Sequence, residues 1–112
     1  MNRNITGTIR KTDDTVWAGA AVNFELERSS FDEEAQYPVK PVRIVSDGNG
    51  EINAALWINE EALHPTRYIC TLPDGSQFRF DLPEGLGAAD LNELRENAVE
   101  DDSPFGSALA GF

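Results

Sequence analysis

The chain has 112 residues, of which 40% are hydrophobic and 26% charged, and its formal net charge is −11. This length suits one domain with its own core, and no apolar run approaches the roughly 20 residues that a membrane-spanning helix needs. So negative a charge repels phosphate backbones, which argues against nucleic acid as a partner. The N-terminal residues MNRNITGT include no apolar stretch, so no secretory signal is expected.

Alternating apolar and polar residues predict β-strands through most of the chain. Val22, Phe24 and Leu26 alternate with polar residues, and Phe78 and Phe80 do the same. Each such segment has one apolar face, which is typical of antiparallel strands packed on a core. We predict strands at residues 4–10, 20–28, 41–46, 51–58, 66–72 and 76–82. The predicted core contains Val22, Phe24, Leu26, Leu56, Tyr68, Cys70, Phe78 and Phe80.

Turn sequences separate the predicted strands. SDGNGE at 46–51 and LPDGS at 72–76 contain Asn-Gly or Asp-Gly pairs, which accept the positive φ of tight turns. Two connections are longer: the acidic SSFDEEAQYPVK at 29–40 and NEEALHPT at 59–66. Short strands joined in this way predict an all-β fold, a single antiparallel β-sandwich of about six or seven strands.

The pattern changes after Pro83. Leu91, Leu94 and Ala98 have helical spacing and predict a short helix at 88–99. Residues 81–112 carry eight acidic residues and a single basic one, so the charge is concentrated near the C-terminus. We therefore divide the chain into a sandwich at 1–87, a helical segment at 88–99 and an arm at 100–112.

The arm combines acidic residues with apolar ones that a purely solvating segment would not need. It cannot bury enough apolar surface on its own to offset the entropy of being ordered. We interpret it as a segment that orders on a partner, with Phe105 and Phe112 in apolar pockets and Asp101 and Asp102 against a basic rim. The alternative is a solvated tail whose apolar residues are incidental.

The sequence contains only weak candidates for a catalytic or metal-binding site. SDGNGE looks like the start of a calcium loop, but such a loop needs Gly at its sixth position and Glu at its twelfth. Counted from Asp47 these positions hold Ile52 and Ile58, which favours a hairpin turn. His64 and Cys70 lack a recognisable nucleophile, base or set of ligands nearby. We predict no catalytic residue, no metal site and no cofactor.

Trp57 falls on the face of its predicted strand opposite Leu56 and Ile58. Either it covers the edge of the sandwich beneath the 59–66 connection, or it is an exposed aromatic anchor for a partner. The same two interpretations apply to Trp17, in TVWAG. An exposed tryptophan could also stack on a sugar ring.

The order of the segments resembles the transthyretin-like, carboxypeptidase-regulatory-like sandwich. ITGTI opens the chain, VWAGAAVNFEL follows a turn, and VSDGNGEINAALW and RYICTLPDGSQFRFDLP come next. With the tryptophan of ALWIN and the following DLNELRE, the chain looks more specifically like a version of this module in virion proteins of tailed bacteriophages. The resemblance covers about residues 4–99, and the acidic SFDEEAQYPVK loop is longer than the generic module needs. It implies framework roles for Gly7, Ala20, Val22, Phe24, Asp47, Gly50, Trp57, Tyr68 and Gly75.

The resemblance implies a non-enzymatic structural protein of a bacteriophage virion, assembled in the host cytoplasm. Its expected partners are other virion proteins, it is expected to be oligomeric in the assembly, and no membrane is involved. A tail-associated position is favoured, as a fibre, baseplate piece or fibre adaptor, and a capsid decoration protein is the alternative. Outside this class, a carbohydrate-binding module using Trp57 or Trp17 and a hydrolase with a loop-assembled site stay open. The expected partner-binding residues are Trp57, Asp101, Asp102, Phe105, Leu109 and Phe112.

Overall fold

The structure is a computed structural model that describes residues 1–98. Short strands and tight turns dominate these residues, as the alternating sequence predicts. The elements in chain order are β1 (Asn2–Thr8), β2 (Ala21–Leu26), β3 (Ser30–Phe31), β4 (Gln36–Tyr37), β5 (Val42–Val45), β6 (Glu51–Trp57), a 3₁₀ turn (Asn59–Glu61), β7 (Tyr68–Thr71), β8 (Gln77–Phe80), β9 (Ala89–Asp90) and α1 (Leu91–Glu96).

Two sheets and a small ribbon contain these strands. One sheet has the order β6-β1-β9, the other has the order β5-β2-β7-β8, and β3 pairs with β4 alone. In the first sheet Ile5 lies opposite Ala54, and in the second Phe24 lies opposite Cys70. All four side chains are buried in one hydrophobic cluster. The fold is therefore all-β and sandwich-like, as predicted.

The predicted core is confirmed, because all eight of its residues are buried in this cluster. Phe80 lies at its centre, with Phe24 edge-on at a ring-centroid distance of 6.1 Å and Tyr68 stacked at 5.4 Å. Offset and edge-to-face rings add to the stabilisation from burial alone. The period-two alternation therefore assigned the inward face of each of these strands correctly.

The C-terminal segment differs from its prediction in two ways. Residues 89–90 form a strand that pairs in parallel with Ile5 and Thr6, so the sheets are not antiparallel throughout. The helix is also shorter than the predicted 88–99, since Asp90 has an extended backbone and its carboxylate accepts a hydrogen bond from the Asn92 amide. Such an N-cap ends the strand and starts the helix at one residue. Leu91 of α1 belongs to the main core.

The SDGNGE segment is a turn whose polar groups hold the backbone. Asp47 Oδ1 accepts hydrogen bonds from the amides of Asn49 at 2.8 Å and Glu51 at 3.0 Å. Gly50 has a φ of 75°, and a Cβ there would lie 2.7 Å from the carbonyl oxygen of Ile9. The turn therefore packs against the chain that follows β1, and glycine is required at the contact.

Replacing Phe24 by alanine tests the assignment of the core. Phe24 is fully buried, so Phe24→Ala should lower the free energy of unfolding by about 3–5 kcal/mol through lost transfer energy and a cavity. Val45→Ala, at an exposed position of the edge strand β5, should change it by about 0.5 kcal/mol or less. Urea denaturation measures both values, and a loss below about 1 kcal/mol for Phe24→Ala would contradict the inward register of β2.

Candidate protein-docking site

Trp57 is buried, although it lies on the outer face of β6. Its side chain is 5% exposed, because the 29–40 connection folds back over it. The Tyr37 ring stacks on the indole at a centroid distance of 4.0 Å, and the indole N–H donates to Asp32 Oδ2 at 2.9 Å. The interpretation of Trp57 as an exposed anchor or sugar platform is therefore wrong. The sequence predicted a covering role for the 59–66 connection, whereas the residues that contact the indole here belong to the 29–40 loop.

Asp32 also shapes the loop that covers the tryptophan. Its other carboxylate oxygen, Oδ1, accepts hydrogen bonds from the amides of Glu34 at 2.8 Å and Ala35 at 2.9 Å. Aspartate commonly stabilises turns in this way. One side chain thus closes the β3–β4 turn and fixes that turn to Trp57. We call Asp32, Tyr37 and Trp57 the tryptophan clamp.

The ionisation of the clamp residues favours this arrangement at neutral pH. Burial alone would raise the pKa of Asp32, but the hydrogen bonds from Trp57 and the two turn amides outweigh it, and the pKa is lowered. Burial and the Asp32 carboxylate raise the pKa of Tyr37. Asp32 is therefore charged and Tyr37 neutral at neutral pH. The charged carboxylate of Asp32 is a good acceptor for the hydrogen bond that the Trp57 indole donates.

The clamp brings an acidic loop to the end of the sandwich where β1 begins. An open groove of about 320 Å³ lies there, lined by Met1, Leu63 and the carboxylate side chains Asp32, Glu33, Glu34 and Glu61. Met1 is 61% exposed and Leu63 is 58% exposed. The backbone beneath them is fixed, because the Leu63 amide donates to the Phe31 carbonyl at 2.9 Å.

A second loop, residues 83–87, joins the same end of the molecule. Arg3 holds it by donating hydrogen bonds to the carbonyls of Pro83 at 2.9 Å and Gly87 at 3.1 Å. A Cβ on Gly85 would lie 2.8 Å from the Arg3 guanidinium, so glycine lets the loop lie against it. Leu86 extends from this loop and is 99% exposed.

We define the acidic end as three exposed apolar residues, Met1, Leu63 and Leu86, together with the carboxylates Asp32, Glu33, Glu34, Glu60, Glu61 and Glu84. A hydrogen bond from the Glu84 amide to Glu60 Oε1, at 3.0 Å, connects the 83–87 loop to the 3₁₀ turn. Exposed apolar residues are ordinary when they are scattered, but here they lie on fixed loops with carboxylates around them. This arrangement suits a partner with an apolar surface and a basic rim.

The other residues considered as sites in the sequence are Cys70, His64 and Trp17. The Cys70 thiol is fully buried, and burial raises its pKa to about 12, so it is protonated at neutral pH. His64 is exposed, and its carbonyl accepts a hydrogen bond from the Ser30 hydroxyl. Trp17 is half-buried beside a pocket at the opposite end of the sandwich.

The acidic end was not predicted as a site. Leu63 and Leu86 are far apart in sequence, and neither belongs to a periodic segment. Two signals were present: the length and acidity of the 29–40 loop, and a leucine between two glycines at 85–87. The predicted arm residues Asp101, Asp102, Phe105, Leu109 and Phe112 lie outside the described residues, so their role stays a prediction.

Within residues 1–98, no three His, Cys, Asp or Glu side chains are placed to hold a metal ion together. No helix in this part of the chain is long and apolar enough to cross a membrane. Neither a scan against models of known protein families nor a search of curated proteins finds a match to the chain.

Replacing Asp32 by asparagine tests the clamp through its pH dependence. Because folding lowers the pKa of Asp32, its charge stabilises the native state above the unfolded pKa of about 3.9, and this stabilisation is lost as the pH falls through the folded value. The wild type should therefore be more stable than Asp32→Asn at pH 7, and the difference should shrink below about pH 4.

Urea midpoints at pH 7 and pH 3 measure this difference. Glu33→Gln is the matched control, since it removes one exposed carboxylate from the same loop. A difference between wild type and Asp32→Asn that stays the same at both pH values would contradict the role given to Asp32.

Proposed function

We propose that the chain is a non-enzymatic structural component of a bacteriophage virion, tail-associated, which docks on another virion protein through its acidic end. The observation that carries this proposal is that Leu63 and Leu86 lie exposed on two fixed loops, with Met1 exposed at the same end, among six carboxylates. The tryptophan clamp fixes the 29–40 loop, whose Phe31 carbonyl accepts a hydrogen bond from the Leu63 amide, and Arg3 fixes the 83–87 loop that carries Leu86.

Fixed loops matter because association costs free energy when it orders mobile groups. Leu63 and Leu86 are already presented on hydrogen-bonded backbone, so little ordering of the chain is needed when a partner covers them. Burying one such side chain contributes about 1.5–3 kcal/mol. The surrounding carboxylates add selectivity and a faster encounter with a basic partner, and salt should weaken both effects.

The use of the polar residues supports a structural role over an enzymatic one. Asp13, Asp47 and Asp74 each accept hydrogen bonds from a neighbouring turn, and Asp90 caps α1. Asn59 links Thr66, Asp81 and Leu82 through three hydrogen bonds between the chain segments around β7 and β8. In residues 1–98 these groups stabilise turns and connections instead of converging on one cavity.

The bacteriophage context comes from the resemblance in the sequence. Its motifs follow one another in the order of the transthyretin-like module in tail and other virion proteins. The 29–40 loop, which exceeds the length of the generic module, is also the loop that supplies three of the six carboxylates of the acidic end. A shared framework with an added docking loop is a common way for one fold to acquire a binding role.

Charge reversal at the acidic end tests the proposal in assembled particles. Glu33 and Glu34 are exposed, so Glu33→Lys/Glu34→Lys should leave folding intact and raise the net charge by four. Glu51→Lys/Glu93→Lys makes the same change at exposed positions away from the acidic end. Quantitative mass spectrometry of purified particles should show at least a tenfold loss of the first variant and normal occupancy of the control.

Normal incorporation of Glu33→Lys/Glu34→Lys would overturn docking through the acidic end. Deleting residues 103–112 tests the arm separately, with the prediction that the thermal midpoint stays nearly unchanged while incorporation is lost. If only the deletion prevents incorporation, then the arm and not the acidic end is the docking element.

A further inference from the structure

A pocket of about 200 Å³ lies at the end of the sandwich opposite the acidic end. Its apolar lining includes Ile9, Trp17, Leu72 and Phe78. Two arginines, Arg10 and Arg95, lie among the same lining residues, in a protein with only nine basic residues in all. The lining of the pocket is thus about equally polar and apolar, and its charged residues are the two arginines and Asp74.

The backbone around this pocket is fixed. The Trp17 amide donates to the Ile9 carbonyl at 2.8 Å, and the Trp17 carbonyl accepts from the Ser46 hydroxyl at 2.6 Å. The guanidinium carbon of Arg95 lies 5.1 Å from the centre of the Phe78 ring, within the range of a cation–π contact. Asp74 also lines the pocket, and its Oδ1 accepts hydrogen bonds from Ser76 in the β7–β8 turn.

The pocket and the acidic end lie at opposite ends of β1. Met1 lines the groove at the start of this strand, and Thr8 lines the pocket at its end. Seven residues of β-strand span about 20 Å, so the loops of the acidic end cannot reach the pocket of the same molecule. A second copy of the chain can bring its acidic end to this pocket.

We propose that Leu86 of one copy enters the pocket of the next copy, where Glu84 and Glu60 lie near Arg10 and Arg95. The inference rests on the proposed docking role of the acidic end and names its partner as this same chain. Leu86 supplies a single aliphatic side chain, which suits the apolar part of a pocket of this size. Acidic groups meet basic ones across the contact, which fixes its orientation.

Such a contact is heterologous, because it joins two different surfaces of identical chains. Repetition closes a ring if the rotation between copies permits it, and otherwise it extends a filament. The contact is small, so we expect weak association of the isolated protein. Neighbouring copies on a symmetric particle would strengthen it through effective concentration.

Two complementary variants of the full chain test the geometry. Leu86→Asp removes the apolar anchor and keeps the pocket, whereas Arg95→Glu alters the pocket and keeps the anchor. Both positions are exposed, so folding should persist, and thermal unfolding checks this. Val39→Asp places the same charge at another exposed apolar position and serves as the control.

Sedimentation equilibrium at concentrations up to about 1 mM, the range of weak contacts, measures the association. The wild type and Val39→Asp should increase in mean mass with concentration, and each test variant alone should associate at least tenfold more weakly. A mixture of Leu86→Asp and Arg95→Glu should form one-to-one pairs and nothing larger, because one intact contact remains. In a nuclear magnetic resonance titration, the Trp17 indole signal of labelled Leu86→Asp should shift as unlabelled Arg95→Glu is added.

A wild type that stays monomeric over this range, or variants that associate as the wild type does, would overturn the proposal. So would a mixture that does not pair. These outcomes leave the particle experiment untouched, since loss of Glu33→Lys/Glu34→Lys from particles would still support docking on a different protein. The opposite result is also distinguishable. If Glu33→Lys/Glu34→Lys is incorporated normally and the mixture of Leu86→Asp and Arg95→Glu still pairs, the docking role is overturned while the contact between copies stands.

Discussion

The Asp32 carboxylate is the group on which the candidate docking surface depends. One of its oxygens closes the β3–β4 turn, and the other accepts the indole N–H of Trp57. Without it, the outer face of β6 would expose a tryptophan, and the acidic loop would lack its attachment to the sheet. Burying an aromatic side chain removes about 150–250 Å² from water, which makes the clamp a substantial stabilising contact.

The two ends of the sandwich differ in their chemistry. At the start of β1, the fixed loops present Leu63 and Leu86 among carboxylates. At the end of β1, the turn at Gly50 supports a half-buried Trp17 beside two arginines. A rigid sandwich holds these ends about 20 Å apart, the length of a seven-residue strand. The proposed contact between copies follows from this separation, because the loops of the acidic end cannot reach the pocket at the other end of the same molecule.

Local sequence determined the strands and the core, while long-range contacts determined the candidate site. Alternation placed Phe24 and Phe80 in the core, because the inward face of a strand can be recognised from the sequence of that strand alone. It left Trp57 open between a covered and an exposed position, since nothing in β6 shows that a loop twenty residues earlier returns to cover that face. The start of α1 was also missed, because Asp90 reads as a helical residue until its pairing with β1 is known. Leu86 was overlooked for the same reason: only the hydrogen bonds from Arg3 to Pro83 and Gly87 fix the loop that exposes it.

The central claim is that the acidic end is covered in the assembled particle. Carbodiimide labelling of carboxylates, read by mass spectrometry, tests this directly by comparing the free protein with intact particles. If the acidic end is covered, Glu33, Glu34 and Glu84 should lose most of their reactivity in particles, while Glu51 should keep its reactivity. Equal labelling of these carboxylates in both states would contradict it.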